Sequence, residues 1–371
     1  MTAYRPDSVQ AARDWVADRI ERRRPFKVHG VERSPSDHEQ LVISGLDRLR
    51  FFDPEDMVIG VDAGFPVARL HQLVSERRMF LPLGSWFRGG TVGGLVAAGQ
   101  FGPDRMTGGG IRDSIIGLEL IDGCGSVVKA GGKVVKNVTG YDLSRLMIGS
   151  RGGYGVVTAV HFKIMPAPIE PRVLVLTPAP PSRWRDVLKD LHLRRLPLDW
   201  VQAVYREGEW VLLIGISGNE LRRRRLVGEL QTAFEQVLQV FAEADLPEKW
   251  AFAATAQRNE GFLSRILPDV GPAFQQIHGV YPTSTFLDGI DLEVLATFTE
   301  AAVVHPIGGD LHVFSREGER LQREMIRCLG KQPGYLVPRG KASVPLPAEI
   351  GMMRHLRKSL DAGSVFISSI L

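Results

Sequence analysis

Glycine is concentrated in one part of this 371-residue chain. Of its 40 glycines, 20 lie between residues 84 and 155, a window of 72 residues. Glycine is costly inside helices and strands and is favoured where the backbone turns sharply or approaches a ligand closely. Leu, Ile and Val are interspersed through the window and Ser does not dominate, so a flexible linker fits poorly. The pattern favours a ligand cradle lined by backbone.

Length and composition indicate an ordinary globular protein. The length predicts two or three domains of about 150 residues each. A composition of 44% hydrophobic and 24% charged residues is typical of globular domains with packed cores. A net charge of +4 is too small to indicate a nucleic-acid partner. No apolar run approaches the roughly 18 to 20 residues of a membrane-spanning helix, and the N-terminus has no apolar signal core. We therefore expect a cytoplasmic protein without a membrane span.

Cysteine usage restricts the redox chemistry that the chain can hold. Only Cys124 and Cys328 are present. Two thiols exclude a disulfide scaffold and cannot supply a four-cysteine iron–sulfur cluster. If electrons pass onward through such a cluster, another subunit must provide it.

Turn and proline signals divide the chain. The Asp-Gly turn at residues 122–125 predicts a hairpin between strands 115–121 and 126–130. A proline cluster at residues 166–171 predicts the boundary between a first domain over residues 1–168 and a second over residues 172–371. In the second, Asn219 is predicted to cap a helix that runs to about Phe241, with Leu221 and Leu226 on its buried side. Short strand candidates around this helix favour an α+β domain.

The common nucleotide-binding motifs fail in this sequence. A phosphate loop needs two glycines five residues apart, followed by Lys-Ser or Lys-Thr. Five residues after Gly334 the sequence has Arg339 instead of the second glycine. The glycine run at residues 89–94 does not lie between a hydrophobic strand and a helix with an acidic residue about 20 residues further on, as a Rossmann motif would. What remains is a series of glycine turns, and concave turns of this kind can hold a diphosphate through backbone N–H groups.

Four blocks of sequence carry a family resemblance. Residues 91–99, 110–113, 132–146 and 149–158 occur in an order that resembles the FAD-binding domain of the vanillyl-alcohol-oxidase and p-cresol-methylhydroxylase (PCMH) type. More narrowly, they resemble the FAD-binding subunits of bacterial glycolate oxidases, and the run Lys-Asn-Val-Thr-Gly-Tyr-Asp at residues 136–142 is the most specific element. Residues 360–366 resemble the closing segment of that family, although Ile-Ser-Ser-Ile then stands where the family has Asn-Pro-Gly-Arg.

The resemblance implies an α+β fold, with a two-lobed PCMH-type FAD-binding domain followed by a smaller α+β C-terminal domain for substrate, cap or subunit docking. It implies non-covalent FAD, because no His or Cys stands at a matched attachment position. The residues that it implies for the pyrophosphate are Gly30, Val31, Glu32, Arg33, Ser34, Gly84, Ser85, Thr91, Val92, Gly93 and Gly94. Those implied for the flavin side are Gly99, Arg112 and Asp113, and those for backbone contact with the adenine or the ring are Gly155, Val156 and Val157.

A histidine pair in the second half suggests further chemistry. His305 and His312, seven residues apart, resemble the divalent-metal motif of FAD-linked 2-hydroxy-acid dehydrogenases, in which the metal polarises the substrate. The third ligand of that motif, a downstream Glu, has no clear match. Two histidines without a carboxylate are weak evidence for a metal site. The alternative is a strand-end pair hydrogen-bonded to backbone.

Three functional hypotheses follow. The first is an FAD-carrying subunit of a glycolate-type (2-hydroxy-acid) oxidase or dehydrogenase, an oxidoreductase that accepts or relays electrons in a complex with a separate catalytic flavoprotein and an iron–sulfur subunit. Such a complex would hold the chain in the cytoplasm or at the inner face of the membrane through its partners. The second is a self-sufficient FAD-dependent 2-hydroxy-acid dehydrogenase that uses His305 and His312 as metal ligands or base. The third is a flavin-free assembly subunit.

Four consecutive arginines, residues 222–225, lie on the helix predicted after Asn219. Consecutive residues of a helix point around its whole circumference, so they do not form one patch. A solvated helix face is the first interpretation of this run. Docking to an acidic partner subunit is the second.

Overall fold

Four β-sheets organise the described part of the protein, for which we use a computed structural model. The structure describes residues 3–31, 38–83, 90–99, 105–133, 143–176, 194–206, 208–234, 239–242, 245–246, 274–279, 301–305, 310–314, 334–338, 359–361 and 365–366. For the strands beyond residue 270 the backbone alone is described.

Seven helices and eighteen strands lie in these residues. The helices are α1 (Val9–Glu21), α2 (Val67–Glu76), α3 (Val92–Ala98), α4 (Arg105–Gly108), α5 (Ile111–Ser114), α6 (Leu143–Met147) and α7 (Glu220–Phe234), with a 3-10 turn at Ile43–Gly45. The first ten strands are β1 (Ala3–Tyr4), β2 (Phe26–His29), β3 (Glu39–Val42), β4 (Leu49–Asp53), β5 (Val58–Asp62), β6 (Met79–Phe80), β7 (Ile115–Ile121), β8 (Val127–Gly131), β9 (Val156–Lys163) and β10 (Met165–Pro166). The others are β11 (Arg172–Leu176), β12 (Trp200–Arg206), β13 (Glu209–Ile216), β14 (Gln239–Ala242), β15 (Phe274–Gly279), β16 (Ala301–His305), β17 (Asp310–Phe314) and β18 (Gly334–Pro338).

The chain divides into two units of nearly equal length. The first contains Met1–Gly102, Gly108–Ala167 and Ala348–Leu371, and the second contains Pro103–Thr107 and Pro168–Pro347. The last segment of the chain therefore returns to the first unit. Helices and sheets occur in both units, which confirms the predicted α+β class.

The first unit combines a parallel and an antiparallel sheet. Strands β1, β3 and β2 pair in parallel in that order, and β4, β5, β9, β7 and β8 form a five-stranded antiparallel sheet. The hairpin predicted around the Asp-Gly turn is confirmed as β7 and β8. Helices α1, α2 and α3 contribute apolar residues to one core, in which Phe26, Phe65 and Phe162 are fully buried.

The closing segment completes the parallel sheet. Phe366 forms a parallel bridge with Phe26, whose N–H donates to the carbonyl of Val365 at 2.9 Å. The two phenylalanine rings meet edge to face, with centroids 5.2 Å apart. Asp361 is fully buried, and its carboxylate accepts from the N–H groups of Val365 and Phe366, both at 3.0 Å. Val365 and Phe366 thus belong to the same hydrophobic core as Phe26 on β2.

Charged side chains link four strands of the five-stranded sheet. Arg50 donates to buried Asp62 at 2.6 Å and pairs with Glu119 at 2.7 Å, and Lys129 approaches Glu119 at 3.0 Å. Burial opposes ionisation of Glu119, but the hydrogen bonds and positive charges of Arg50 and Lys129 outweigh it and lower its pKa. The network therefore favours the ionised carboxylate.

His161 on β9 lies beside this network. It faces Gly60 and Gly117 on the neighbouring strands, and its ring meets Phe51 edge to face at 5.0 Å. Within the described residues, its Nδ1 is buried without a hydrogen-bond partner. Burial lowers the pKa of His161, and so do the charges of Arg50 and Lys129. The backbone of Gly132 and the charge of Glu119 raise it, but they do not compensate, so the pKa lies below its ordinary value.

We expect His161 to make the stability of the fold depend on pH. Its pKa is lower in the folded than in the unfolded chain, so the unfolded chain binds more protons as the pH falls below the ordinary value of 6.5. The free energy of unfolding should then decrease as the pH falls toward the folded pKa. The substitution His161→Gln should reduce that decrease, as measured by urea denaturation across this range. His38→Gln is the control for the loss of a histidine elsewhere. If the free energy of unfolding of His161→Gln depends on pH as steeply as that of the parent, His161 is not the cause of the pH dependence.

The second unit is built on an eight-stranded antiparallel sheet, in the order β14-β11-β13-β12-β16-β17-β15-β18. Asn219 caps α7 as predicted, because its Oδ1 accepts from the N–H of Arg222 at 2.9 Å. The helix ends at Phe234, so its predicted extension to about Phe241 is wrong. Residues 239–242 form β14 instead, and β14 pairs with β11 at one end of the sheet.

Candidate functional site

Three backbone segments from distant parts of the sequence meet in the first unit. A Cβ atom at Gly30, just after β2, would overlap the Oγ1 atom of Thr91, which precedes α3. A Cβ at Gly152 would lie 3.5 Å from Cβ of Val28. The segments that end β2, begin α3 and follow α6 are therefore in direct contact, and glycine is what permits their close approach.

Thr91 anchors the second of these segments. Its side chain caps α3 by accepting from the N–H of Gly94 at 3.3 Å. Its backbone forms an antiparallel bridge with Pro66, and the carbonyl of Gly90 accepts from the N–H of Val67 at 3.0 Å. The start of α3 is thus fixed to the start of α2, which gives the segment a defined position against Gly30.

The C-terminal end of α3 is joined to the third segment. Gly99 ends the helix in the left-handed conformation, at a φ of 63°, which favours glycine. The N–H of Gly149 donates to the carbonyl of Val96 at 3.0 Å, and the N–H of Arg151 donates to the carbonyl of Ala97 at 2.8 Å. These bonds bring the backbones of Gly99 and Gly149 together. The N and Cα atoms of Gly149 lie 3.3 Å from the position of a Cβ atom built on Gly99.

Two glycines of these segments face open space. A Cβ built on Gly90 or on Gly149 would meet no atom of the described residues within 4 Å. The main chain can be approached closely from these sides, which is the property that a backbone-lined cradle for a dinucleotide requires. The residues present therefore fit the FAD implied by the sequence. Gly90 and Gly149 were not among the predicted binding residues, although both belong to the glycine-rich window.

Several of the predicted binding residues serve the packing that supports these segments. Val92 is fully buried, and a Cβ at Gly93 would lie 2.8 Å from Ile43 and 2.9 Å from Ala63. Val156 and Val157 begin β9, and their side chains lie in the hydrophobic core. Contact of these residues with FAD stays a prediction, and it could involve only their backbone.

Two of the three predicted flavin-side residues lie on the short helix α5, and the third, Gly99, ends α3. Arg112 and Asp113 are both exposed. Asp113 accepts from the N–H of Gly110 at 2.8 Å, so its carboxylate caps α5.

Of the residues predicted to hold the pyrophosphate, Gly30 is partly buried and Val31 is exposed. Five others lie outside the described residues, namely Glu32, Arg33, Ser34, Gly84 and Ser85.

The histidine pair of the second unit lies on neighbouring strands. His305 on β16 pairs with Asp310 on β17, and His312 on β17 pairs with Val303, so the two histidines are two register positions apart. On the other side of β17, Asp310 also pairs with His278 on β15. A register row of His278, Asp310 and His305 results, which the sequence did not reveal because the pairing joins strands distant in the chain. No three metal-ligating side chains come together among those that the structure describes.

The helices in the described ranges include none with the length and apolar character needed to cross a membrane.

The N-terminal third of the chain is similar to FAD-binding proteins. Residues 3–131 match the family described as FAD binding domain. Glycolate oxidase subunit GlcE from Escherichia coli (strain K12) is 33% identical over 198 residues, which cover 53% of this chain and 56% of that one. Glycolate oxidase subunit GlcD from Bacillus subtilis (strain 168) is 31% identical over 136 residues, or 36% of this chain and 29% of that one. The chain thus spans about half of the first relative and under a third of the second.

A solved structure shows the same fold. Alkyldihydroxyacetonephosphate synthase superposes with a TM-score of 0.69 at 13% identity, covering 98% of this chain and 76% of that chain. At this identity the likeness concerns the fold alone. Together with the family match, it confirms the predicted α+β fold with a PCMH-type FAD-binding domain, and FAD as its cofactor.

Proposed function

We propose that this chain, whose residues 3–131 match the FAD binding domain family, is the FAD-carrying subunit of an oxidase or dehydrogenase for glycolate or a similar 2-hydroxy acid. The observation that carries the proposal is the contact between the glycine segments around Gly30, Thr91 and Gly149. The names of the relatives, glycolate oxidase subunits, support the substrate class and the subunit role.

The chain's own residues would hold the cofactor mainly through main chain. Bound FAD supplies a two-electron acceptor for hydride from a CH–OH group. Gly30 and Thr91 would bring backbone N–H groups to the diphosphate, and Gly90 and Gly149 leave room for it. Because these contacts are not covalent, we expect acid precipitation to release the flavin into the supernatant.

Partner subunits are part of this proposal. Two cysteines in the whole chain cannot hold a four-cysteine cluster, so an iron–sulfur subunit would carry electrons onward. A separate catalytic flavoprotein would oxidise the substrate. We infer a cytoplasmic complex that reaches the inner face of the membrane only through its other subunits.

A second candidate function rests on the register row of the second unit. If His305 and His312 hold a metal with help from Asp310 or His278, the chain would be a self-sufficient 2-hydroxy-acid dehydrogenase. The third hypothesis, a flavin-free assembly subunit, predicts colourless protein that takes up no added FAD. The match to the FAD binding domain argues against it.

The double variant His305→Ala/His312→Ala separates the first two functions. We expect the purified chain to bind FAD but to show little turnover of glycolate or D-lactate with a dye acceptor, and the variant to leave activity of the assembled complex within about twofold. Turnover by the chain alone that falls by about 100-fold or more in the variant would establish the self-sufficient dehydrogenase instead. FAD absorbance of both proteins controls for folding.

A further inference from the structure

Helix α7 exposes a side chain that its sequence pattern assigns to the buried side. Leu226 and Leu230 are buried, but Leu221 is 79% exposed, so its predicted burial is wrong. Leu221 lies two turns before Gly228 on the same side of the helix, and Gly228 lines a groove at the surface of the second unit. Ile169, whose carbonyl accepts from the N–H of Gly218 just before the helix, is also exposed. Two large apolar side chains near the start of α7 are therefore exposed.

The groove lies between α7 and the strands at the β14 end of the sheet. It encloses about 300 Å³, and the residues that line it include Ile216, Val227 and Val240 as apolar contacts. Ile216 is fully buried and forms part of its floor. A volume of this size accommodates a few side chains of a bound segment.

Positive charge dominates the walls of the groove. Arg172, Arg223 and Arg224 line it, against Glu220 as the one acidic residue of the lining. Arg172 and Arg223 both approach Glu170, at 3.6 and 2.6 Å, and Arg224 pairs with Glu220 one turn earlier in the helix. Three guanidinium groups thus face two carboxylates, which leaves an excess of positive charge beside the groove. Arginine with apolar neighbours is enriched in the cores of protein interfaces.

Strand β14 gives the groove a backbone edge. It pairs only with β11, and no other described strand lies on its second side. Val240 on this strand is 45% exposed and faces the groove. An edge strand can pair with an extended segment of another chain, whose alternate side chains then enter the adjacent groove.

We propose that this groove is a docking site for an extended acidic segment of a partner protein, which pairs with β14 and places its carboxylates beside Arg172 and Arg224. Charge complementarity selects the acidic partner, and the sheet edge selects the extended conformation. The site lies within the second unit and does not depend on the flavin assignment. It would give a partner subunit a point of attachment separate from the cofactor.

A matched pair of arginines tests the proposal. A fluorescein-labelled peptide of about ten alternating Glu and Val residues is titrated with the full chain at about 0.15 M salt and followed by fluorescence anisotropy. We expect Arg224→Glu to weaken binding about tenfold or more. Arg225→Glu is the control, because Arg225 is equally exposed (80% against 78%) and also pairs with a glutamate one turn away, but does not line the groove. We expect it to change binding less than twofold.

A second pair tests the strand edge. Val240→Glu places a like charge beside the bound acidic segment and should weaken peptide binding, whereas Val127→Glu, on the edge strand β8 of the first unit and 39% exposed, should not. Absence of peptide binding, or equal losses from Arg224→Glu and Arg225→Glu, would overturn the proposal. Displacement of the peptide by millimolar inorganic phosphate would assign the groove to small anions instead. Unchanged FAD absorbance in every variant shows that the first unit is intact.

Discussion

Substitution of Gly30 by alanine is expected to lower the affinity of the chain for FAD by about 100-fold, or about 2.7 kcal/mol. The added methyl group would overlap Oγ1 of Thr91, which is buried and caps α3. Either β2 or the start of α3 must then move, and overpacking of this kind costs about 1–3 kcal/mol of stability as well. Titration of the apoprotein with FAD, followed by flavin fluorescence, measures the loss.

Two further variants identify the cause. Gly90→Ala adds the same methyl group in the open space that the proposal assigns to the diphosphate, so we expect it to weaken FAD binding without the loss of stability caused by Gly30→Ala. Thr91→Ala in the Gly30→Ala background removes the overlapping oxygen and should recover part of the affinity, at the cost of a helix cap worth about 1 kcal/mol. Full FAD binding by Gly30→Ala alone would show that the contact between β2 and α3 does not form part of the cradle.

Removal of the buried carboxylate of Asp361 is expected to reduce the free energy of unfolding by about 3 kcal/mol or more. Asp361→Ala deletes two hydrogen bonds to an ionisable group, each worth about 1.5 kcal/mol or more, and leaves the N–H groups of Val365 and Phe366 without this acceptor. Urea denaturation followed by tryptophan fluorescence measures the change, because Trp15 contacts Phe26 in the same core.

Asp122 supplies the matched control. Its carboxylate also accepts from two backbone N–H groups, those of Cys124 and Ser126, but in an exposed hairpin turn where water can replace it. We expect Asp122→Ala to cost about 1 kcal/mol or less. Equal losses from the two variants would mean that burial of Asp361 contributes nothing, and that the closing segment is held by other contacts.

Local signals predicted the parts of the fold that depend on neighbouring residues. The Asp-Gly turn predicted the hairpin of β7 and β8, and Asn219 predicted the start of α7. The end of α7 was missed because apolar residues continue the helical spacing beyond Phe234. Residues 239–242 instead pair with β11, more than sixty positions away, and such pairing overrides helical periodicity.

The sequence predicted a glycine-lined region but not what each of its glycines faces. Clustering of glycine identified the segments that meet, but the sequence could not distinguish Gly93, which packs against Ile43, from Gly149, which faces open space. That distinction depends on atoms contributed by other segments. The pairing of Asp310 with both His278 and His305 was hidden for the same reason, since the register of distant strands is set by tertiary structure.

The return of Val365 and Phe366 to β2 has a consequence for biosynthesis. A ribosome delivers Phe26 early and Phe366 only after the second unit has been synthesised, so the second unit can fold first. Until then, one edge of the parallel sheet lacks the residues that pair with Phe26. A nascent or truncated chain without Val365 and Phe366 would expose the ring of Phe26 to chaperones and proteases.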